Sequence, residues 1–257
     1  MELINIYRIS DNSNPEKVKP EYASKENCLK NFVREFGRKN LIVICDNVTD
    51  DTFNMVKKYT EEENVYRTEN GNTGSFLVSW NLAYRLIDQY GEDNIFYFVE
   101  DDYIHRRGSK NILLEAFNDL NANYVSLYDH PDKYMNTKDK RFVWGHGKVD
   151  IDDKGVRKPS IIYNTPSPCN LYISKSTHWR TVSSTTMTWA TTGKNIIDDY
   201  SDMNKLHTGK RLPMGGDTFR MLKDKEKELI SCLPGYAAHA EERWLPYFVN
   251  WEEEANI

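Results

Sequence analysis

The sequence predicts an α/β fold, a three-layer sandwich with a mostly parallel central sheet. Three observations carry that expectation. Leu41-Ile42-Val43-Ile44-Cys45 and Ile95-Phe96-Tyr97-Phe98-Val99 are fully apolar runs of strand length. Segments of helical period lie between the strand-like runs, so strand and helix alternate through residues 1–130. The run 95–99 ends directly in Glu100-Asp101-Asp102, and acidic residues at the carboxyl end of a strand lie where α/β sheets bind ligands.

The elements follow in order. Leu3 to Ile9 reads as the first strand, ended by the loop Ser10-Asp11-Asn12-Ser13-Asn14-Pro15. Ser24 is placed to cap a helix whose Leu29, Phe32, Val33 and Phe36 share a face, with Gly37 as its stop. The second strand, 41–45, runs into the polar turn Asp46-Asn47-Val48-Thr49-Asp50-Asp51 and a short helix around Phe53 and Val56. Asn64 to Thr68 is the third strand, followed by the loop Glu69-Asn70-Gly71-Asn72-Thr73-Gly74. A helix from about Ser75 carries Phe76, Trp80, Ala83, Tyr84 and Ile87 on one face, and Gly91 closes it. After the acidic-ended strand come a helix marked by Ile112, Leu113, Ala116, Phe117 and Leu120, then a strand over Tyr124 to Leu127.

From about His130 the alternation gives way to polar loops, short strands at Ser160–Tyr163 and Asn170–Ile173, and a Ser/Thr run from Thr181 to Thr192. A further helix is expected near Thr218, and the tail from Glu241 is aromatic and acidic. No internal repeat or linker demands a second domain. The expectation is one domain over 1–257, with a regular half (about 1–130) and a more variable half (about 131–257).

At 257 residues, 39% hydrophobic and 28% charged, the chain has the composition of an ordinary globule rather than a disordered or fibrous one. A net charge of −5 and a pI near 5.8 argue against a general nucleic-acid binder. No apolar run approaches the ~20 residues that span a bilayer. A cytoplasmic location is therefore the expectation, with membrane lipids still open as acceptors. Cys28, Cys45, Cys169 and Cys232 form no CxxC pair, so reduced thiols are expected and a zinc site is not.

Three adjacent carboxylates repel one another unless a cation, a donor or a proton relieves them. If the strand geometry persists, Glu100 and Asp102 point one way and Asp101 the other. Mg2+ or Mn2+, held by one or two carboxylates and substrate phosphates, meets the need. A solvated acidic turn or a structural Ca2+ site is the plainer alternative.

Four stations in order give the chain a resemblance to a known family. They are Asp46-Asn47 after the second strand, Asn72-Thr73-Gly74 at a helix start, the DxD-like Glu100-Asp101-Asp102, and Gly215-Gly216-Asp217-Thr218-Phe219 before a late helix. This order resembles the GT-A (Rossmann-like) nucleotide-sugar glycosyltransferases, especially the family-two group. The resemblance covers 1 to about 130 and then the Asp217 region.

It implies transfer of a sugar from a nucleoside-diphosphate donor to a glycan, lipid or protein hydroxyl, dependent on Mn2+ or Mg2+ and inverting at the anomeric carbon. Asp102 with Glu100 would hold the metal, and His239 would add a metal or diphosphate contact. Glu100 stands where the family usually has Asp, and Asp101 belongs to the same donor-binding triplet. Asp46 would accept a hydrogen bond from the base, which favours a UDP-sugar; its alternative is a turn residue. Asn72 and Gly74 would shape the nucleotide's loop. Asp217 would be the general base, with a helix N-cap as the alternative. Family members commonly show Glu-Asp where this chain has Gly216-Asp217.

Arg106 and Arg107 are further phosphate candidates, with an exposed charge pair as the alternative, and Arg180 is another; Trp144, Trp179 and Trp189 are sugar-stacking candidates, with core packing as the alternative. Two rivals remain. A sugar-nucleotide pyrophosphorylase would carry a Gly-rich loop after the first strand, where this chain reads Arg8-Ile9-Ser10-Asp11-Asn12-Ser13. A non-catalytic nucleotide- or glycan-binding module would keep the fold without turnover.

Overall fold

The computed structural model describes residues 1–12, 17–134, 169–213 and 215–256. Strands β1 (Leu3–Ser10), β2 (Leu41–Asp46), β3 (Val65–Thr68) and β4 (Ile95–Glu100) pair in parallel in the order β3-β2-β1-β4. Helices α1 (Lys25–Phe36), α2 (Asp50–Val56) and α3 (Gly71–Tyr90) carry the chain back between them. Successive strand residues face opposite sides, so β1, β2 and β4 each feed two cores. Leu3, Tyr7 and Ile9 pack with Leu29, Phe32 and Phe36 of α1, whereas Ile4 and Ile6 pack with Phe76, Trp80 and Ala83 of α3. Burial on both faces is the reason β2 and β4 read as near-continuous apolar runs, whereas β3, half-buried to exposed at the sheet edge, does not.

The chain continues through β5 (Tyr103–His105), α4 (Ser109–Leu120), β6 (Tyr124–Ser126), β7 (Leu171–Ile173), β8 (His178–Val182) and β9 (Trp189–Thr192). Then follow α5 (Gly193–His207), α6 (Gly215–Asp224), β10 (Leu229–Leu233), β11 (Ala237–His239) and α7 (Trp251–Asn256). Among the described residues the main sheet has nine strands, in the order β3-β2-β1-β4-β9-β6-β10-β8-β7. Only β9 and β8 run against the others. The expected mostly parallel three-layer sandwich is present, and the variable half is built into the same sheet as the regular half.

Three local expectations change. The Thr181–Thr192 stretch, read as irregular, supplies the end of β8 and all of β9; β-branched threonine is at home in strands. Helix α5, with Thr192 as its N-cap, was not anticipated. The Asn72-Thr73-Gly74 segment is the first turn of α3 rather than a loop ahead of it, because Gly71 at φ +71° makes the sharp entry. The expected strand at Ser160–Tyr163 and Trp144 lie outside the described residues.

A two-stranded sheet of β5 and β11 sits beside the main one, with His239 opposite Tyr103. Asn31 of α1 anchors it, donating to the His105 carbonyl (2.9 Å) and accepting from the His105 amide (2.7 Å). Ile104, Ala238 and Ala240 pack there with Cys28 and with Trp251 of α7. Among the described residues, no helix is long and apolar enough to cross a membrane.

Candidate functional site

The acidic triplet leaves β4 at the carboxyl ends of the parallel strands. Glu100 lies opposite Arg8 in the β1–β4 register and accepts from its guanidinium at 3.1 Å. Arg8, only 6% exposed, also reaches the Asn72 carbonyl (3.2 Å), the Asn72 amide oxygen (3.3 Å) and the Ser75 hydroxyl (3.3 Å). One buried arginine thus ties the triplet's first acid to the first turn of α3.

The chain turns at Asp101-Asp102 instead of staying extended, so Asp102 does not share the partners of Glu100. Asp101 accepts from the Ser10 amide at 3.0 Å. Burial, followed by the neighbouring Asp102 charge, pushes its carboxyl up to about 6. Asp102 is buried, and three nitrogens converge on its Oδ2: Lys17 Nζ at 3.1 Å, His239 Nε2 at 3.2 Å and Lys19 Nζ at 3.4 Å. Burial alone would raise the Asp102 carboxyl, but His239, then Lys17 and Lys19, hold it well below the usual carboxylate range. Lys17 Nζ is also 3.2 Å from His239 Nε2.

His239 owes its place to the β5–β11 pairing, and its ring stacks on Tyr103 with centroids 5.5 Å apart. The stretch before β9 continues the rim. Thr188 accepts from the Glu100 amide (3.0 Å), Thr186 bonds the Tyr103 hydroxyl, and Thr185 bonds Ser126 (3.0 Å). The start of α6 presses on this stretch, since a Cβ on Gly215 would lie 1.9 Å from the Thr185 carbonyl oxygen. Asp217 follows within the first turn of α6, which removes the N-cap alternative. Its carboxylate accepts from Lys210 at 2.8 Å and pairs with Arg220 at 3.8 Å; the Lys210 hydrogen bond leads in holding it below the usual range.

Asp46 is 2% exposed and fully engaged by its own surroundings. It accepts from Thr68 Oγ1 (2.8 Å), the Asn70 amide (2.7 Å) and Asn47 Nδ2 (2.8 Å), bracing the entry to α3. Gly74 is required by packing, because a Cβ there would sit 2.6 Å from Asn70 Cβ. Arg106 stacks on Tyr236 and donates to the Gly235 carbonyl, Arg107 donates its amide to Glu254, and Arg180 is buried against Asp129 at 2.7 Å. Trp179 and Trp189 are core residues, both 0% exposed.

The structure therefore joins Glu100, Asp101, Asp102, Asn72 and His239; Asp217 lies on α6, where its carboxylate pairs with Lys210 and Arg220 rather than with these residues. Sequence reasoning missed Arg8, Lys17 and Lys19. A charge inside an otherwise apolar strand was the available signal for Arg8; Lys17 and Lys19 flank Val18 at the spacing that puts both on one side of an extended segment.

The donor set tests the implied metal. Among the described residues, no three His, Cys, Asp or Glu side chains gather as metal ligands. Asp102 and His239 converge, but the space between them is bridged by the Lys17 ammonium, and Glu100 is held by Arg8. Mg2+ and Mn2+ want oxygen-rich, near-octahedral surroundings. As arranged, these residues do not fit a divalent ion.

No family model and no curated protein matches the chain. Solved structures similar to it include S. aureus TarS 1-349, at 12% identity and TM-score 0.49 over 92% of this chain and 60% of that one. S. aureus TarS matches at 14% and 0.47 over 90% of this chain and 35% of that one. A cytidylyltransferase from Leptospira borgpetersenii serovar Hardjo-bovis matches at 16% and 0.33 over 49% of this chain and 53% of that one. The chain thus spans less than two thirds of each of these structures, and its function has to be argued from the site.

Proposed function

We propose that the chain is a GT-A-type glycosyltransferase that moves a sugar from a nucleoside-diphosphate donor to a hydroxyl acceptor with inversion. The observation that carries this reading is the meeting of Asp102 with His239. The family resemblance named both positions; they are 137 residues apart in sequence and 3.2 Å apart in space. Around them stand the α3 entry that Arg8 secures and the α6 turn that presents Asp217, all on the carboxyl-end rim where α/β sheets bind ligands.

In this reading the diphosphate lies over the triplet and the α3 first turn, and the acceptor enters beside α6. Asp217, ionised at neutral pH and kept so further into acid by its Lys210 contact, takes the acceptor hydroxyl's proton as that oxygen attacks the anomeric carbon. The carbon–oxygen bond to the diphosphate breaks on the opposite face, and the nucleoside diphosphate leaves with the bonding pair. The uracil preference attached to Asp46 rests on a carboxylate whose oxygens are already engaged, so the donor base stays open within the proposal.

The test is donor hydrolysis and binding across UDP-, GDP- and dTDP-sugars, for the parent chain and for Asp102→Asn and Asp217→Asn. Turnover of one donor is expected. Asp102→Asn should weaken donor binding, whereas Asp217→Asn should keep binding and lose ~10²–10⁴ in transfer rate. Binding without turnover of any donor, with acceptor hydroxyls supplied, would replace this reading by the binding-module one.

A further inference from the structure

The triplet's charge is already balanced by the chain. Glu100 faces Arg8, Asp101 takes the Ser10 amide, and Asp102 takes two ammonium groups. Three carboxylates meet three cationic side chains, and Lys17 with Lys19 together carry the same +2 as a divalent ion. Their place is fixed by backbone as well as charge, because the Val18 carbonyl between them accepts from the Glu242 amide at 3.0 Å. Both ammonium-bearing side chains keep an exposed portion, 31% for Lys17 and 24% for Lys19, while Asp102 beneath them keeps 7%. An ammonium has three N–H donors. With one directed at Asp102 and at most one at His239, whose single Nε2 cannot both donate to Asp102 and accept from Lys17, Lys17 retains at least one for a ligand above.

We propose that Lys17 and Lys19 face the donor's diphosphate and supply the countercharge the family resemblance assigns to a divalent ion, so that a nucleoside diphosphate binds without one. The inference rests on the glycosyl-transfer reading and refines it. Asp102 then positions the two ammonium groups, and His239 limits where Lys17 can swing. A divalent ion entering between Asp102 and His239 must first displace Lys17, which costs the ion pair and places two like charges together.

The experiment is calorimetric titration of UDP, GDP and dTDP into EDTA-treated protein, then with Mn2+ added. One nucleotide is expected to bind under EDTA, with affinity changed by less than about twofold when Mn2+ is present. Lys17→Gln/Lys19→Gln should weaken that binding by about tenfold or more, on the scale of lost charge-assisted hydrogen bonds. Lys17→Arg/Lys19→Arg should recover most of it, which separates lost charge from lost folding.

The paramagnetic resonance of free Mn2+ gives a second readout. It should persist when the parent chain is added, and its loss on adding the parent chain would overturn the inference. Nucleotide binding that requires Mn2+ in the parent chain would overturn the inference and leave the glycosyltransferase reading standing. Absence of nucleotide binding under both conditions would overturn both.

Discussion

Asp101 and Asp102 are neighbours in sequence with opposite electrostatic fates. Asp102 is surrounded by nitrogens and stays ionised far into acid, while Asp101 has a backbone donor and a like charge beside it. The Asp101 carboxyl rises from 3.8 to about 6 on folding, so the folded chain binds its proton more tightly than the unfolded chain does. Stability contributed by this group therefore falls as pH rises from about 4 to about 6 and is level above that. Asp102 shifts the other way, and its contribution is complete throughout that window. Asp101→Asn should accordingly gain on the parent chain as pH rises from 4 to 6, with the difference constant by pH 7. Urea midpoints at each pH measure this; a difference independent of pH would show that Asp101 is solvated like an ordinary surface acid. The acidic identity of this site was legible in the sequence because carboxylates after an apolar strand have few structural uses. Its cationic half was legible only in part: the family resemblance named His239, but Lys17 and Lys19 lie some eighty residues before Asp102 with no signal beyond their alternate spacing.

At the scale of elements, legibility followed periodicity. α1 could be read in full because Ser24 caps it, Gly37 ends it and its buried residues repeat at helical spacing. α5 carries the same signals in Thr192, Ile196, Tyr200, Met203 and His207, but they follow a Ser/Thr run whose composition suggested a loop. β9 was obscured for the same reason, since a four-residue strand of Trp, Ala and two Thr shows no alternation to detect. The element that positions Asp217 depends on one glycine. At Gly215 the obstructing atom is a backbone carbonyl oxygen 1.9 Å from the would-be Cβ, while at Gly74 it is the Asn70 side chain at 2.6 Å. Neither atom is the free end of a side chain, since a Cβ is fixed by its own backbone, but the 1.9 Å approach at Gly215 demands the larger shift. Gly215→Ala should therefore lower the melting temperature more than Gly74→Ala, with overpacking costs of about 1–3 kcal/mol. It should also reduce transfer while sparing nucleotide binding, because α6 moves and the triplet does not. Equal melting temperatures for the two variants would mean that α6 is not clamped against Thr185.

For the whole molecule, the decisive feature is where β9 inserts. The regular and variable halves were distinguishable in sequence, yet β9 comes from the second and fills the gap between β4 and β6 of the first, with Trp189 packed against Phe98, Trp80 and Phe219. Without β9, the β4 edge carrying the triplet would be open, and an unpaired edge beside a buried strand is not a stable boundary. β10 then pairs with β6, so the two halves share one run of backbone hydrogen bonds. Cooperative unfolding of the entire sheet is the expected consequence. Two buried tryptophans report on different regions: Trp80 on α3 beneath the first four strands, and Trp179 on β8 near the far edge. Variants retaining one or the other as the main fluorophore should show coincident denaturation midpoints, matching the far-UV circular dichroism. A Trp179 midpoint well below that of Trp80 would mean that the β10-β8-β7 edge opens by itself. The edge built from the variable half would then be a separately unfolding unit, laid against a regular half that keeps its own fold.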